Sequence, residues 1–415
     1  MSGGSGRVCV IGLGYVGLPT TAVIANRGIE VVGVDADDDV VEELGRGETH
    51  IVEPDLHILV RSAIASGNLT IRAKPVEADV FVIAVPTPFT DRRTADLGHL
   101  EAAARDLAPV LKSGDLVVLE STSPVGTTGQ LADWLAEERT DLSFPAGGGE
   151  ACDVHVAHSP ERVLPGRVLL ELVDNDRVIG GLTPACGEKA KAFYATFVKG
   201  DCHVTDARTA ELVKLAENAY RDTNIAFANE MANVCEELGI DVWSLIELAN
   251  RHPRVDILRP GPGVGGHCIA VDPWFIVQTA PESTPLIQTA REVNDGMPAR
   301  VVRRIRAALG EQPGGPVACL GLAYKADIDD LRESPALDVI RLLAAETSVP
   351  MLIVEPNIQT LPGDTALGDA TLCALDDALD AAEIVVLLTD HNEFRSLERE
   401  RLAGKIVIDT RGIWR

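Results

Sequence analysis

One cysteine of this chain lies in a run rich in glycine and proline. Cys268 is part of GPGVGGHCIAVDPW, residues 261–274, with Asp272 four residues after it. A thiol can add to a carbonyl carbon, and a carboxylate can accept a proton from water. The glycines lack Cβ atoms, so the backbone near Cys268 can approach a bulky ligand and adopt positive φ. The run therefore predicts a covalent nucleophile beside a substrate.

A second pair of polar residues lies on a predicted helix. The pattern from Asp206 to about Leu238 is helical, with Asp206 as its N-cap and Gly239 as its stop. Lys214 and Asn218 are one turn apart on one face of this helix, and both can donate to an oxyanion. A lysine on the surface of a helix is usually a solvated charge, so the residues alone leave both interpretations open.

The start of the chain has the pattern of a dinucleotide-binding fold. A strand at residues 7–11 leads into GLGYVG, then a helix, then a strand at residues 30–34 that ends at Asp35. An acid at that place can accept from both ribose hydroxyls and would repel a 2′-phosphate, which favours NAD over NADP. Gly12 permits a tight turn, Gly14 permits the approach of a pyrophosphate, and Gly17 permits close packing of helix on strand. Tyr15 and Val16 lie in the same turn and are expected to contact the cofactor.

Further strands predict two nucleotide-type folds around a helical middle. Strands ending before Thr87 and Thr122 extend the first sheet, and their hydroxyls fall where ligands collect, beyond strand C-termini. From residue 315 the α/β pattern restarts, without G-x-G-x-x-G. The predicted fold is α/β, with two Rossmann-like doubly wound domains joined by a central helical domain that has one long helix. The predicted domains are residues 1–200 for NAD, 201–300 for the helices and 312–415 for a second nucleotide.

The second fold carries an aromatic ring and two cations beyond its first strand. Tyr324, Lys325 and Arg332 would suit an anionic nucleotide, although a solvated charged loop has the same composition. A dinucleotide site, a thiol and a second nucleotide fold together favour a redox enzyme whose substrate is itself a nucleotide. Oxidation of an alcohol to an aldehyde, then of a thiohemiacetal to a thioester, would reduce two NAD.

Composition argues against several classes of partner. The formal net charge of -26 opposes binding to nucleic-acid phosphates. No run approaches the roughly 20 apolar residues of a membrane-spanning helix, so we expect no membrane partner and a cytoplasmic location. The eight cysteines include no C-x-x-C pair and no closely spaced zinc-type ligand set, so no metal is expected. The long helix has more apolar positions than one chain covers easily, which predicts a homodimer through that helix.

Seven segments, in order along essentially the whole chain, carry a resemblance to a known family. The chain resembles the UDP-glucose/GDP-mannose dehydrogenase family. The segments are VIGLGYVGLP, ESTSPVGTT, SPERVLPG, ELVKLAENAYRDTNIAFANE, PGPGVGGHCIAVDP, GLAYKADIDDLRESPA and VIDTRG. The resemblance implies that Cys268 is the nucleophile and that Lys214 and Asn218 stabilise oxyanions. It also implies that Asp272 and Thr122 hold a catalytic water, and that Glu161 activates water for thioester hydrolysis.

The resemblance also implies the substrate. Within the family, NRHPRVDILRPGPGVGGHCIAVDPWFIV is most similar to the branch that oxidises UDP-N-acetyl-D-mannosamine to its uronic acid, for cell-surface polysaccharide synthesis. UDP-glucose enzymes of the family carry Phe-Pro-Lys where this chain has Ile269-Ala270-Val271, which disfavours UDP-glucose and leaves UDP-N-acetylglucosamine as an alternative. Expected substrate contacts are Glu161, Arg162, Val163, Lys214, Asn218, Arg254, Gly265, His267, Tyr324, Lys325 and Arg332. Arg254 and His267 would equally suit a role in bracing the loop.

Two other classes of protein fit part of the pattern. A two-electron β-hydroxyacid dehydrogenase also joins an N-terminal dinucleotide fold to a helical domain bearing lysine and asparagine, but it needs no thiol and no third domain. A non-catalytic nucleotide-sugar binding protein would retain the glycine turns without needing a nucleophile. The presence of Cys268, Lys214 and Asn218 together favours a four-electron dehydrogenase.

Overall fold

The described part of the chain forms two compact units. A computed structural model describes residues 6–51, 53–90, 93–145, 152–164, 166–266, 268–310, 315–361 and 367–415. The first unit comprises Met1–Ala216 and Trp274–Thr279, and the second comprises Glu217–Pro273 and Ala280–Arg415. Two helices therefore contribute residues to both units.

A sheet forms the centre of the first unit, and eight strands belong to it among the described residues. The strands are β1 Val8–Ile11, β2 Val31–Val34, β3 Leu69–Arg72, β4 Val80–Ile83, β5 Leu116–Leu119, β6 His155–His158, β7 Arg177–Gly181 and β8 Cys202–Asp206. Their order is β3-β2-β1-β4-β5-β6-β7-β8, and β6 pairs antiparallel with β7 while the other pairs are parallel. Strands β1, β2 and β5 are buried along their whole length, as valine- and leucine-rich runs in a parallel sheet require.

Seven helices cover this sheet within the described ranges. They are α1 Gly17–Asn26, α2 Asp38–Gly45, α3 Leu56–Ala65, α4 Gly98–Leu107, α5 Thr127–Glu138, α6 Val168–Asp174 and α7 Pro184–Tyr194. A short 3-10 turn, Ala108–Val110, follows α4. Nine of the ten residues of α1 are buried, so the helix that opens at the glycine turn has almost no solvated face.

The middle of the chain is helical. It contains α8 Ala207–Leu238, α9 Val242–Ala249, α10 Asp272–Thr279, α11 Pro285–Asp295 and α12 Met297–Leu309, with a 3-10 turn at Pro281–Ser283. The carboxylate of Asp206 accepts from the backbone N–H of Thr209 at 3.0 Å, so it caps α8 as the sequence predicts. Helix α8 is 32 residues long.

The second unit contains a parallel sheet, which has five strands in the described residues. Its strands are β9 Val317–Leu320, β10 Met351–Val354, β11 Thr371–Leu372, β12 Ile384–Leu387 and β13 Ile406–Asp409, in the order β11-β10-β9-β12-β13. Helices α13 Pro335–Glu346, α14 Leu375–Ala381 and α15 Asn392–Arg395 and a 3-10 turn at Arg399–Leu402 complete it. The predicted fold class is confirmed: a helical region lies between two α/β folds. The domain boundaries 1–200, 201–300 and 312–415 stay a prediction.

The two sheets begin with the same turn. Gly12 after β1 has φ +90, and a Cβ there would lie 2.7 Å from the Ala84 carbonyl oxygen after β4. Gly321 after β9 has φ +93, and its Cβ would lie 2.4 Å from the Cβ of Thr389 after β12. Both turns therefore require glycine for conformation and for space.

Each fold has an acid after its second strand, and the two acids have different environments. Asp35, after β2, is half-buried, whereas Glu355, after β10, is buried. Glu355 Oε2 accepts from the N–H of Leu322 at 2.6 Å and lies 3.1 Å from Nε2 of the buried His391. Its Oε1 accepts from the Asn357 N–H at 3.1 Å.

Among the described residues, no helix is both long enough and apolar enough to span a bilayer.

Replacing Gly321 with alanine is expected to lower the free energy of unfolding by about 3 kcal/mol, because a left-handed alanine is strained and its Cβ overlaps Thr389. The matched control is Gly404→Ala: Gly404 has φ +79, and its Cβ would have no neighbour within 4 Å. That change should cost only about 1 kcal/mol. Urea unfolding followed by circular dichroism measures both, and equal losses would contradict the packing argument.

Candidate active site

The glycine turn of the first unit has the shape that a dinucleotide requires. A Cβ on Gly17 would lie 1.8 Å from the Gly12 carbonyl oxygen, so helix α1 can pack at this distance only with glycine there. A Cβ on Gly14 would meet nothing within 4 Å, which leaves space above the turn. Tyr15 is exposed and Val16 half-buried beside it. The N-terminal end of a helix attracts phosphate, and open space lies beside that end of α1.

Asp35 is fixed against this turn. Its Oδ2 accepts from the Leu13 N–H at 2.8 Å and its Oδ1 accepts from the Asp37 N–H at 3.1 Å. These bonds orient the carboxylate at the end of β2. The residues therefore fit an NAD ribose, with one acidic group held beside the glycine turn.

Thr87 and Thr122 lie at the same edge of the sheet. Strands β1, β4 and β5 are neighbours and parallel, so the segments after them meet at one edge. The Thr87 hydroxyl donates to the Thr122 carbonyl oxygen at 2.5 Å. The structure thus brings together the two threonines that the sequence singled out.

Sequence reasoning missed the carboxylate that holds the Thr122 loop. Glu211, in the first turns of α8, is buried and accepts from the N–H groups of Gly126 at 2.6 Å and Thr128 at 2.7 Å. Its Oε1 also accepts from the Thr128 hydroxyl. Burial raises the pKa of Glu211, and these hydrogen bonds oppose the rise. The signal available in the sequence was an acid three residues before Lys214, on the same helical face.

Glu161 lies after β6 in a crowded polar environment. Its Oε2 accepts from Nη2 of Arg177 at 2.8 Å, and its Oε1 accepts from the Arg162 N–H at 2.7 Å. Both Glu161 and Arg177 are buried. Arg162 and Val163, which follow Glu161, are half-buried. The sequence did not indicate Arg177, because its partner Glu161 follows a different strand of the sheet.

A second buried carboxylate fixes the rest of the Glu161 loop. Glu53 accepts from the N–H groups of Gly166 and Val168, each at 2.8 Å. These donors lie at the N-terminus of helix α6, where a carboxylate is favoured by the helix dipole. Glu53 was not a predicted site residue, since its partners are more than a hundred positions away.

In the second unit, the exposed Cys268 begins a turn that leads into α10. The Cys268 carbonyl oxygen accepts from the N–H groups of Val271 at 3.1 Å and Asp272 at 2.8 Å. The Asp272 carboxylate accepts from Nδ2 of Asn218 at 2.6 Å, and both side chains are buried. The structure therefore joins two of the predicted catalytic residues by a hydrogen bond. One of them, Asp272, lies four positions after the thiol of Cys268 in the sequence. Lys214, half-buried, lies one turn before Asn218 on α8.

The glycines before Cys268 contact the protein's own chain. A Cβ on Gly265 would lie 2.3 Å from the Glu333 carbonyl oxygen, and one on Gly266 would lie 2.7 Å from the Tyr324 ring. Gly263 has φ +137 and its Cβ would lie 2.9 Å from Pro335. Within the described residues, these glycines let the loop pack on residues 324–335; their use by a ligand stays a prediction.

The remaining predicted contacts lie on exposed or half-exposed segments. Lys325 is half-buried and Arg332 exposed on the β9–α13 segment, where Nη2 of Arg332 pairs with Asp330 at 2.6 Å. Arg254 is exposed after α9. His267 lies outside the described residues. No group of three or more His, Cys, Asp or Glu side chains in the described part of the chain could hold a metal ion.

A buried polar network holds the base of the cysteine loop. Asp222 on α8 accepts from Nη1 of Arg291 at 2.6 Å and from Nδ2 of Asn294 at 2.8 Å. Asn229, two turns further along α8, donates to Asn294 and accepts from the Gly261 N–H, each at 2.8 Å. Burial raises the pKa of Asp222, although the Arg291 charge opposes the rise. This network was also absent from the sequence prediction.

Comparisons with known proteins cover nearly the whole chain. Models of the UDP-glucose/GDP-mannose dehydrogenase family match it in three parts: the NAD binding domain at residues 6–198, the central domain at 208–296 and the UDP binding domain at 318–415.

Individual relatives are similar over the same length. A Ralstonia nicotianae protein named NDP-N-acetyl-D-galactosaminuronic acid dehydrogenase is 58% identical, over 98% of this chain and 96% of its own. A Yersinia pestis UDP-N-acetyl-D-mannosamine dehydrogenase is 54% identical, over 98% and 99%. The solved structure of a UDP-D-ManNAc dehydrogenase from Pyrococcus horikoshii superimposes with a TM-score of 0.89 at 38% identity, over 98% and 96%.

Replacing Asn229 with alanine is expected to lower the free energy of unfolding by about 2 kcal/mol, because the buried Gly261 N–H and the Asn294 side chain each lose a partner. Asn224 on the same helix is the matched control, since its side chain donates to the Tyr220 carbonyl oxygen of its own helix. Asn224→Ala should stay within about 0.5 kcal/mol of the parent. Urea unfolding of the full chain compares the two, and an equal loss from Asn224→Ala would contradict the role of Asn229.

Proposed function

Since the chain belongs to the UDP-glucose/GDP-mannose dehydrogenase family, we propose that it oxidises C6 of UDP-N-acetyl-D-mannosamine twice, to the uronic acid. It is an NAD-dependent UDP-sugar dehydrogenase, as its family and its relatives indicate. The proposal goes further, to the sugar, the covalent intermediate and the use of two NAD. The observation that carries the covalent step is the exposed Cys268 thiol, followed after four residues by the oriented Asn218–Asp272 pair.

The residues have complementary chemical roles in this proposal. The first oxidation converts the C6 alcohol to an aldehyde, and the Cys268 sulfur then adds to the aldehyde carbon to give a thiohemiacetal. Loss of a hydride and a proton from that adduct leaves a thioester, which water cleaves to the acid and the thiol. Bound NAD supplies the hydride acceptor for each oxidation. The balance is one alcohol, two NAD⁺ and one water converted to one carboxylate, two NADH and three protons.

Donors and acceptors on this chain match the charges that develop. Lys214 and Asn218 would donate to the oxygen of both tetrahedral states, and Asn218 is already oriented by Asp272 at 2.6 Å. Glu161 would accept a proton from the attacking water, which Thr122 and Asp272 would help to hold. Lys325 and Arg332 would pair with the diphosphate and Tyr324 would pack on the nucleotide.

The choice of an N-acetylated sugar is supported by the cysteine loop. Ala270 and Val271 are buried, so a lysine at either position would bury a charge. The relatives named above act on N-acetylated aminosugar nucleotides by their names. Because the Ralstonia protein is named for N-acetyl-galactosaminuronic acid, UDP-N-acetylgalactosamine is the second candidate substrate. The product would supply uronic acid residues for cell-surface polysaccharide.

A homodimer through α8 is part of the proposal. Tyr220, Phe227 and Val234 are exposed large hydrophobic residues spaced by seven, and Leu238 continues the row. The Tyr220 side chain is 71% exposed. A row of this kind on one helix is the pattern of a helix that packs against another copy of itself.

We expect UDP-N-acetylmannosamine to give two NADH and one acid, with a higher kcat/KM than UDP-N-acetylglucosamine, UDP-N-acetylgalactosamine, UDP-glucose or GDP-mannose. Cys268→Ala should abolish acid formation, because no thioester can form. Glu161→Gln should accumulate an adduct on Cys268, because the water loses its base. NADH absorbance and intact-protein mass spectrometry measure these outcomes.

Cys373→Ala is the control, since Cys373 is a half-buried thiol that follows β11, away from the cysteine loop in sequence. It should retain parent activity. Faster turnover of UDP-glucose would overturn the sugar assignment, and two NADH per acid from Cys268→Ala at the parent rate would overturn the covalent mechanism.

Phe227→Glu is expected to convert the dimer to a monomer, because it places a charge within the apolar row. Leu286→Glu is the matched control, since Leu286 is also a large hydrophobic residue and is 66% exposed on α11. Light scattering coupled to size-exclusion chromatography gives the mass of each variant. A parent that elutes as a monomer, or a Phe227→Glu variant that stays dimeric, would refute this interface.

A further inference from the structure

One buried arginine of the first unit lies between two carboxylates. Nη2 of Arg177 donates to Glu161 at 2.8 Å, and its Nη1 lies 3.7 Å from Oε1 of Glu120. The side chains of Glu120, Glu161 and Arg177 are 0%, 7% and 4% exposed. Nη1 of Arg177 makes no hydrogen bond to any residue that the structure describes. One cation is therefore shared by two acids, and it bonds only one of them.

The groups facing Glu120 come from several elements. The Tyr194 hydroxyl, on α7, donates to Glu120 Oε1 at 2.6 Å, and the Thr20 hydroxyl, on α1, lies 3.4 Å from Oε2. Arg177 approaches from β7, 5.0 Å above the Tyr194 ring, and Glu161 from the segment after β6. Cys202 on β8 also interacts electrostatically with Arg177.

The groups around Glu120 act on its pKa in opposite directions. Burial raises the pKa of Glu120 to about 7, and the Glu161 charge adds to the rise, while Arg177 and the Tyr194 hydroxyl lower it. Burial would lower the pKa of Arg177, but the charges of Glu161 and Glu120 outweigh this effect and raise it, so Arg177 stays charged. Glu120 is thus the member of the cluster that changes charge near neutral pH.

We propose that Glu120 and Arg177 are positioning residues for Glu161: the ionisation of Glu120 determines how much of the Arg177 cation is drawn away from the Glu161 carboxylate. The inference rests on the proposed function, in which Glu161 activates the water that cleaves the thioester. With Glu120 protonated, Arg177 pairs with Glu161 alone and occupies its carboxylate. With Glu120 ionised, the same cation serves two anions, and the Glu161 carboxylate is freer to accept from water.

The charge change of Glu120 determines how the rate of thioester cleavage depends on pH. A Glu120 whose pKa lies above its ordinary value is neutral below about pH 7 and ionised above it. Thioester cleavage should therefore accelerate as pH rises through that value. The two hydride transfers, which do not use Glu161 as a base in the proposal, should not share this limb of the pH profile.

The test measures thioester cleavage separately from oxidation. The full chain is mixed with NAD and UDP-N-acetylmannosamine in single turnovers between pH 5.5 and 9. Quenched samples give the adduct on Cys268 by intact-protein mass spectrometry, and NADH absorbance gives the oxidations. Glu120→Gln is isosteric and always neutral, so cleavage should lose its limb near neutral pH. It should be about tenfold slower at pH 8.5, which is less than the 10²- to 10⁴-fold that a base supplies because Glu161 itself is retained.

A second variant keeps both carboxylates. Tyr194→Phe removes the hydroxyl that donates to ionised Glu120, so the limb should move to higher pH. Asp115→Asn is the matched control: Asp115 is buried at the opposite end of β5 and pairs with Lys112 at 2.7 Å. Its pH profile should equal that of the parent.

The outcomes separate the inference from the function on which it rests. If Glu120→Gln keeps the parent limb, or slows oxidation and cleavage equally, the coupling is refuted while the covalent mechanism stands. If Glu120→Gln does not fold, an unmoved limb in Tyr194→Phe refutes it in the same way. If no adduct forms on Cys268 in either the parent or Glu161→Gln, the proposed function and this inference fail together.

Discussion

Five polar side chains line one face of α8, and the four that are buried must find partners, which lie on segments that carry or support candidate catalytic groups. A buried donor or acceptor left without a hydrogen bond costs about 1–3 kcal/mol, so each such side chain constrains the segment that satisfies it. Their spacings of three, four, four and seven keep them on one face of the helix. These residues are Glu211, Lys214, Asn218, Asp222 and Asn229. Through them, this helix fixes in turn the start of α5, the acid after the thiol, helix α11 and the first glycine of the cysteine loop.

Each unit also buries an arginine against more than one acid. Arg177 lies between Glu120 and Glu161, and Arg291 bonds both Asp222 and Asp295. Removing such charges from water costs about as much as their attraction returns, so these clusters contribute little to net stability. They specify geometry instead, because an ion pair in a dry environment tolerates few alternative arrangements. Both clusters hold segments that bear predicted functional residues, the Glu161 loop in one unit and helix α8 in the other.

Short-range patterns carried most of the sequence prediction. The strands after which Asp35, Thr87 and Thr122 lie were visible as apolar runs ending in polar residues, and Gly12 and Gly17 have the geometry that their turn demands. The antiparallel β7, and the partners of Glu53 and Glu211, were not visible, because such pairings join residues tens to more than a hundred positions apart. In the sequence, Glu53 and Glu211 are recognisable only as acids in otherwise apolar surroundings.

The different environments of Asp35 and Glu355 bear on how the protein tells its two nucleotides apart. Both NAD and a UDP-sugar present a ribose and a diphosphate, and the two folds begin with nearly the same glycine turn. Glu355 is buried, accepts from Leu322 and Asn357 and contacts His391, so its carboxylate is held by partners of its own fold. A dinucleotide bound to the second fold would therefore lack the ribose contact that we expect Asp35 to make in the first. This difference would favour NAD in the first fold and leave the second to the UDP-sugar.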